Sequence, residues 1–174
     1  YEGGIREPLI VRWPGVVKPG AEVTTPVCSP DYFATLADVT GSKPAAKIDG
    51  VSLRPLLEGK GSLPDRALFW HYPHYGNQGG APGAAMRQGD WKLIQWYEQD
   101  QPELFNLKDD LGETKNLAAQ EPERVKAMLK ELEAWRKDVG AVMPTSNPRY
   151  DKALPNGREA PRPAPKKAPG KKAK

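Results

Sequence analysis

With one cysteine and two histidines among its 174 residues, the chain has little material for metal or thiol chemistry. Cys28 alone can form neither an internal disulfide nor a thiolate zinc cluster, and it leaves the redox compartment open. With only His71 and His74 beside it, a site built from protein ligands alone is not expected. Long apolar runs are missing as well. The longest cover a handful of residues, against the roughly 20 that a membrane-spanning helix needs, so no membrane span is expected. The sequence YEGGIREPLIVRWPG also lacks a leader in front of it: by Leu9-Ile10-Val11 it is already strand-like, which sets the expectation that further sequence precedes Tyr1.

What is present suits a globular protein. Hydrophobic residues make up 38% of the chain, with five tryptophans among them, enough for one domain with a core. The net charge of +4 suggests nucleic acid until it is located. Residues 151–174 hold eight Lys or Arg against two acidic residues, a balance of +6, which leaves −2 for residues 1–150. The body is therefore mildly acidic, and no nucleic-acid partner is expected. The Pro-, Ala- and Lys-rich end reads as a disordered tail, because it lacks the apolar residues that would offset ordering entropy. It could bind anionic polymers electrostatically, although a solubilising extension is the simpler reading.

The chain reads as three sections. In the first, Pro8–Trp13 reads as a buried strand, a branched apolar run bounded by prolines. SPDYFATLADVTG then carries helix punctuation: Ser29 as cap, Pro30 in the first turn, Asp31 at the positive end of the dipole and Gly41 past the end. Phe33, Leu36 and Ala37 share a face expected to pack inward. IDGVSLRPLLEG makes a turn at Asp49-Gly50 and a short capped segment over Ser52–Leu57. The second section reads as strands: ALFWHY, then AMRQGDWKLIQWYE as a hairpin turning at Gln88-Gly89-Asp90, then ELFNL. In the third, PERVKAMLKELEAWRKDVG is an amphipathic helix whose stripe of Val125, Met128, Leu129, Leu132 and Trp135 should lie across the antiparallel sheet.

These segments, YEGGIREPLIVRWPG, the capped helix, IDGVSLRPLLEG, LFWHYPHYGNQGGAPGAAMRQGDWKLI and ELFNLKDDLGETKNLA, occur in an order that resembles the C-terminal part of type I sulfatases. Those are the formylglycine-dependent, arylsulfatase-like enzymes of the alkaline phosphatase superfamily. The resemblance runs over roughly residues 1–140. It implies an α+β or α/β fragment: residues 1–66 as the last strand and helix of the large α/β domain, and 67–140 as a small subdomain of antiparallel sheet packed by one long helix, with 141–174 as the tail. It also implies sulfate ester hydrolysis, on sulfated carbohydrate or a small sulfate ester, by a protein located in the periplasm or secreted. The calcium ion that such enzymes use would be held by ligands outside this chain, and the nucleophile would lie in a preceding catalytic portion. The chain alone is then expected to be inactive. That division is chemically sensible, because a hard cation takes oxygen ligands and stabilises charge developing on the transferred group.

Few residues here are candidates for chemistry. Cys28-Ser29-Pro30-Asp31-Tyr32 imitates the C/S-x-P-x-R precursor of formylglycine, but Tyr32 stands where Arg is required, so Cys28 reads as a small buried hydrophobe. Arg6, flanked by Glu2 and Glu7, reads as part of a structural ion pair. The expected substrate-binding residues are His74, His71 and Arg87. His74 lies within HYPHYGNQGG, where related enzymes form the pocket rim, and His71 on its strand is the more buried of the two. Arg87 and Lys92 flank the hairpin turn and could meet an acidic or sulfated sugar, although a solvated hairpin face is the plainer reading. Two other functions remain open at this stage. One is a non-catalytic module binding an anionic glycan; the other is a phosphodiester or phosphonate hydrolase of the same superfamily. A C/S-x-P-x-R motif and paired Asp residues encoded upstream would favour the sulfatase reading over the binding module.

Overall fold

The computed structural model describes residues 1–76, 80–148 and 153. The chain divides into a unit of residues 1–142 and a second of 143–174, and every helix and strand among the described residues lies in the first. The expectation of a disordered tail over 141–174 falls largely on residues outside those described.

The sheet is an antiparallel meander in the order β1-β2-β3-β4, with β1 Ala67–Tyr72, β2 Gly83–Gln88, β3 Trp91–Trp96 and β4 Glu103–Asn106. The β2–β3 hairpin forms where expected, with Gln88 paired to Trp91 across Gly89-Asp90. Gly89 takes φ of 58° while Asp90 stays at negative φ, the pattern of a II′ turn, whose twist matches that of the flanking strands. Directly paired residues share a face. The rung Phe69, Met86, Leu93 and Leu104 therefore points one way, and the rung Leu68, Arg87, Lys92 and Phe105 points the other.

The first face is covered by the helix α3, Pro122–Asp138. Its predicted stripe is the one that packs. Met128 and Leu132 are buried against Ala84, Met86, Leu93 and Leu104, with Val125, Leu129 and Trp135 at the margin. Trp135 stacks on Phe69 at 4.9 Å between ring centroids and 7° between planes, an offset geometry aromatic rings favour. The opposite face holds Ile94, Phe105 and Leu107, capped by the ring of Tyr1, which lies 6.1 Å from Trp96 and 6.2 Å from Phe105.

Residues ahead of the sheet depart from expectation in three ways. Pro8–Trp13 is not a strand, and Ile10 is 90% exposed. The reason is that a strand exists only through its ladder, and this segment is paired with none of the described strands, the sheet edges at β1 and β4 included. The helix α1, Pro30–Thr40, ends at left-handed Gly41 as expected, but Ser29 makes no capping bond. Instead the Asp31 carboxylate accepts the Cys28 amide at 2.8 Å. Finally, α1 turns Phe33 and Leu36 outward, at 58% and 62% exposure, and buries Asp31, Ala34, Thr35 and Ala37. Small and polar residues occupy the inner face because a loop backbone presses against it: a Cβ on Gly50 would sit 2.1 Å from the carbonyl oxygen of Pro30. Thr35 accepts the Leu53 amide at 2.9 Å and thereby ties in α2, Arg54–Leu57.

Candidate functional site

Asp31 is the hub of the first polar cluster. It is fully buried and receives the Val51 amide at 3.0 Å and both terminal guanidinium nitrogens of Arg66. Burial would push its carboxyl up, but the Arg66 bonds and the Cys28 and Val51 amides outweigh that and hold it below the usual carboxylate range. Cys28 belongs to the same cluster, its thiol 3.5 Å from Asp31. Burial and the neighbouring carboxylate raise the thiol's pKa, so it is a poor thiolate nucleophile. The formylglycine lookalike is thus built into a helix terminus.

A second cluster was not anticipated. Lys92 was read as lying on a solvated hairpin face, but its side chain is 0% exposed. Its ammonium lies 2.9 Å from Glu2 and 2.8 Å from Glu113, both carboxylates being nearly as buried. Arg87, expected to face solvent or substrate, donates to Glu2 at 3.2 Å and is 16% exposed. The Glu2 amide donates to the Glu113 carboxylate, while Arg6 reaches Glu2 only at 3.8 Å and stays half exposed. The sequence signal for this cluster was present but scattered: Glu2, Lys92 and Glu113 lie in EGGIR, GDWKL and GETKNL, segments about 90 and 20 residues apart.

Each segment folds locally so that its charge points inward. Lys92 shares a rung with Arg87. Glu2 sits in a 3-10 turn, Glu2–Gly4. Ahead of Asn116, the Asp110 carboxylate accepts the Thr114 and Lys115 amides, and those amides lower its pKa. Within that turn Glu113 adopts φ of 53°, the one positive φ outside glycine among the described residues. A non-glycine side chain is uncommon there and is kept only where the surroundings enforce it.

The third cluster lies on the other face and surrounds the sequence-predicted histidines. His71 pairs across the sheet with Ala84, which pairs with Gln95. Its Nδ1 meets the Tyr97 hydroxyl and its Nε2 the Val142 carbonyl, at 2.9 Å. The carbonyl can only accept, so His71 donates from Nε2, and in the neutral ring Nδ1 then accepts the Tyr97 hydroxyl. Arg136 of α3 donates to Gln95 at 3.0 Å and reaches the Tyr97 oxygen at 3.4 Å. His74 is exposed, edge-on to the exposed Tyr72 at 5.4 Å. His71 and His74 thus share one end of β1, whereas Arg87 is on the opposite face, paired with Leu68. Asn77, Gln78 and Gly79, which belong to the same predicted loop, are outside the described residues.

Among the described residues no group of three or more His, Cys, Asp or Glu is arranged to hold a metal ion. The buried carboxylates of Glu2 and Glu113 already flank an ammonium. The described residues do not fit a calcium site. No helix among the described residues is long and apolar enough to cross a membrane.

Comparison with known proteins agrees with this architecture. The family described as N-sulphoglucosamine sulphohydrolase, C-terminal, matches residues 1–138. A sulfatase of Formosa agariphila is 38% identical over 152 residues, covering 78% of this chain and 28% of the relative. Human arylsulfatase A is 33% identical over 171 residues, covering 82% of this chain and 32% of the relative. A solved structure described as being in complex with its substrate, D-glucosamine-2-N,6-O-disulfate, is 30% identical with a TM-score of 0.54, covering 62% of this chain and 23% of that one. The chain therefore spans about a third or less of the length of these relatives. Its match to the family covers every segment that forms the three clusters apart from Val142, and the chain belongs to the sulfatases, in the N-sulphoglucosamine sulphohydrolase C-terminal family.

Proposed function

We propose that the chain is the C-terminal part of an enzyme that hydrolyses sulfate esters of carbohydrate, and that it contributes substrate contacts while the nucleophile and metal ligands come from the rest of the enzyme. The observation that carries this reading is the family match over residues 1–138, joined to a chain that offers neither an activated nucleophile nor a metal cluster among its described residues. The relative solved with D-glucosamine-2-N,6-O-disulfate and the N-acetylglucosamine-6-O-sulfatase of Bacteroides thetaiotaomicron, 31% identical over 144 residues, support a sulfated sugar as the substrate class. In the sulfatase family a calcium ion draws charge from the sulfate oxygens when bound.

The part assigned to this chain is recognition of the alcohol side of the ester. The segment from His71 to Pro82 supplies imidazole, phenol and backbone groups next to glycines, the mixture a polar ligand pocket uses. His71 is oriented by Tyr97 and Val142, and through Tyr97 it is linked to Arg136, which also donates to Gln95. The neighbouring Tyr72 and His74 rings are left open to a sugar face. Arg87 stays with Glu2 and supports the sheet from behind.

The reading is tested by comparing residues 1–174 with the same chain joined to a sulfatase catalytic portion. The joined protein should turn over an aryl sulfate and the chain alone should not. Turnover by the chain alone, abolished by Cys28→Ala, would overturn the reading and restore the lookalike motif as a nucleophile site.

A further inference from the structure

The buried charges take no part in the proposed substrate contacts, yet they are among the most deeply buried groups described. Three carboxylate or ammonium side chains, at 0%, 5% and 2% exposure, meet from segments far apart in sequence, with Arg87 completing the group at 16%. As a source of stability this is a poor choice, because desolvating ions costs about as much as their attraction returns. Well-packed apolar residues would serve stability as well or better. The cluster also carries backbone strain, in the positive φ of Glu113. Lys92 has no aligned hydrogen bond to the Glu113 Oε1 that it lies against, whereas the other oxygen of that carboxylate holds the Glu2 amide. What the arrangement gains is placement: it fixes Glu2 in backbone and side chain at once.

The segment so fixed is the Tyr1–Arg6 turn. Its remaining ties to the sheet are the Tyr1 ring on Trp96 and Phe105 and the Tyr1 hydroxyl donating to Glu103 at 2.8 Å. Its outer side is open, with nothing within 4 Å of a Cβ built on Gly3 or Gly4.

We propose that Lys92 is a positioning residue of the enzyme, which by tying Glu2 to Glu113 fixes the Tyr1–Arg6 turn against the sheet and so sets how the catalytic portion is registered on the substrate-binding end. Lys92 itself touches no substrate. The inference rests on the functional reading above. A misregistered catalytic portion lowers turnover without weakening the sugar contacts, because reaction rate depends on alignment more steeply than binding does.

The test uses the enzyme with its catalytic portion in place. Lys92→Met removes the central ammonium and leaves buried carboxylates behind, so it can unfold the protein; Glu113→Gly is the second variant. It removes a carboxylate, leaves Lys92 paired with Glu2, and puts a residue without strain at positive φ. Well below their melting temperatures, both variants should lose about tenfold or more in kcat with KM held within about twofold. In both, exchange of the Glu2 amide should accelerate, and the Tyr1 phenol, raised to about 12 by burial and Glu103, should titrate closer to its ordinary value. Unchanged kcat in folded Glu113→Gly enzyme would overturn the proposal and leave the cluster a structural device. A wild-type enzyme without sulfate ester turnover would refute the functional reading instead. Equal protection of the Glu2 amide in wild type and both variants would overturn the tie itself, with or without turnover.

Discussion

Asp31 shows how one side chain can join three segments. It caps its own helix through Cys28, anchors the following loop through Val51 and binds Arg66 at the threshold of β1. Removing one partner of a buried pair strands the other, which costs about 3–5 kcal/mol. Asp31→Asn should therefore lower stability by that amount at neutral pH, as measured by urea unfolding. Because the folded carboxyl titrates below its unfolded value of about 3.9, its contribution is complete above that pH and is lost as pH falls through the depressed folded value. The gap between wild type and Asp31→Asn should thus close below about pH 4. A gap that stays constant down to acid unfolding would mean the pair contributes nothing through charge. Gly50 is the steric counterpart. With a Cβ placed 2.1 Å from the Pro30 carbonyl oxygen, Gly50→Ala must push the loop off α1, and the cost should be about 1–3 kcal/mol or more. A neutral Gly50→Ala would show that the loop is free to move.

At the scale of elements, α3 and the hairpin have the clearest physical basis. Leu132 is fully buried under the sheet, so Leu132→Ala should cost about 2–5 kcal/mol, read as a shift in the urea midpoint at constant slope. A loss under 1 kcal/mol would mean that the helix packs loosely, below the usual range. Both elements were legible in the sequence because their signals are local. Val125, Met128, Leu129, Leu132 and Trp135 repeat with the helical period, and Gly89-Asp90 separates two alternating runs. Leu9, Ile10 and Val11 misled because an apolar run states what a segment prefers, while the strand also requires an edge to pair with. Phe33 and Leu36 misled in the same way: composition named a face but not the loop backbone that displaced it, for which Gly50 was the sole sign. The charge cluster was hidden for a different reason. Lys92 and Glu113 each look like solvated surface residues in isolation, and only the folding of two turns, Glu2–Gly4 and the one holding Glu113, against the sheet brings them to Glu2. Of the candidate site, the placing of His71 on a strand with His74 just past it was legible from the sequence, whereas the face on which Arg87 lies was not.

For the whole molecule, the outward apolar residues carry the main consequence. Ile10, Phe33 and Leu36 stand in water at 90%, 58% and 62% exposure, and Leu9, Val11, Leu53 and Trp70 line a cavity of about 540 Å³ between the leading segment and the sheet. Phe33 and Leu36 are neighbours one turn apart on α1, and contiguous apolar surface is uncommon on a monomer. The isolated chain should therefore associate as its concentration rises or melt without a sharp transition. A monomer in sedimentation that unfolds cooperatively, with slow amide exchange from Leu9 to Arg12, would contradict this.

A sulfate ester hydrolase that receives its alcohol-side contacts from this chain should reveal the fact most directly in its choice of substrate. The measurement is made on the enzyme with its catalytic portion present, with His74→Ala assayed on a sulfated glucosamine and on a small aryl sulfate. For the sugar, kcat/KM should fall by about tenfold or more while that for the aryl sulfate stays within about twofold, because binding energy remote from sulfur is lost and the chemistry is untouched. Equal losses on both substrates, or no loss on either, would contradict the assignment of those contacts to this chain.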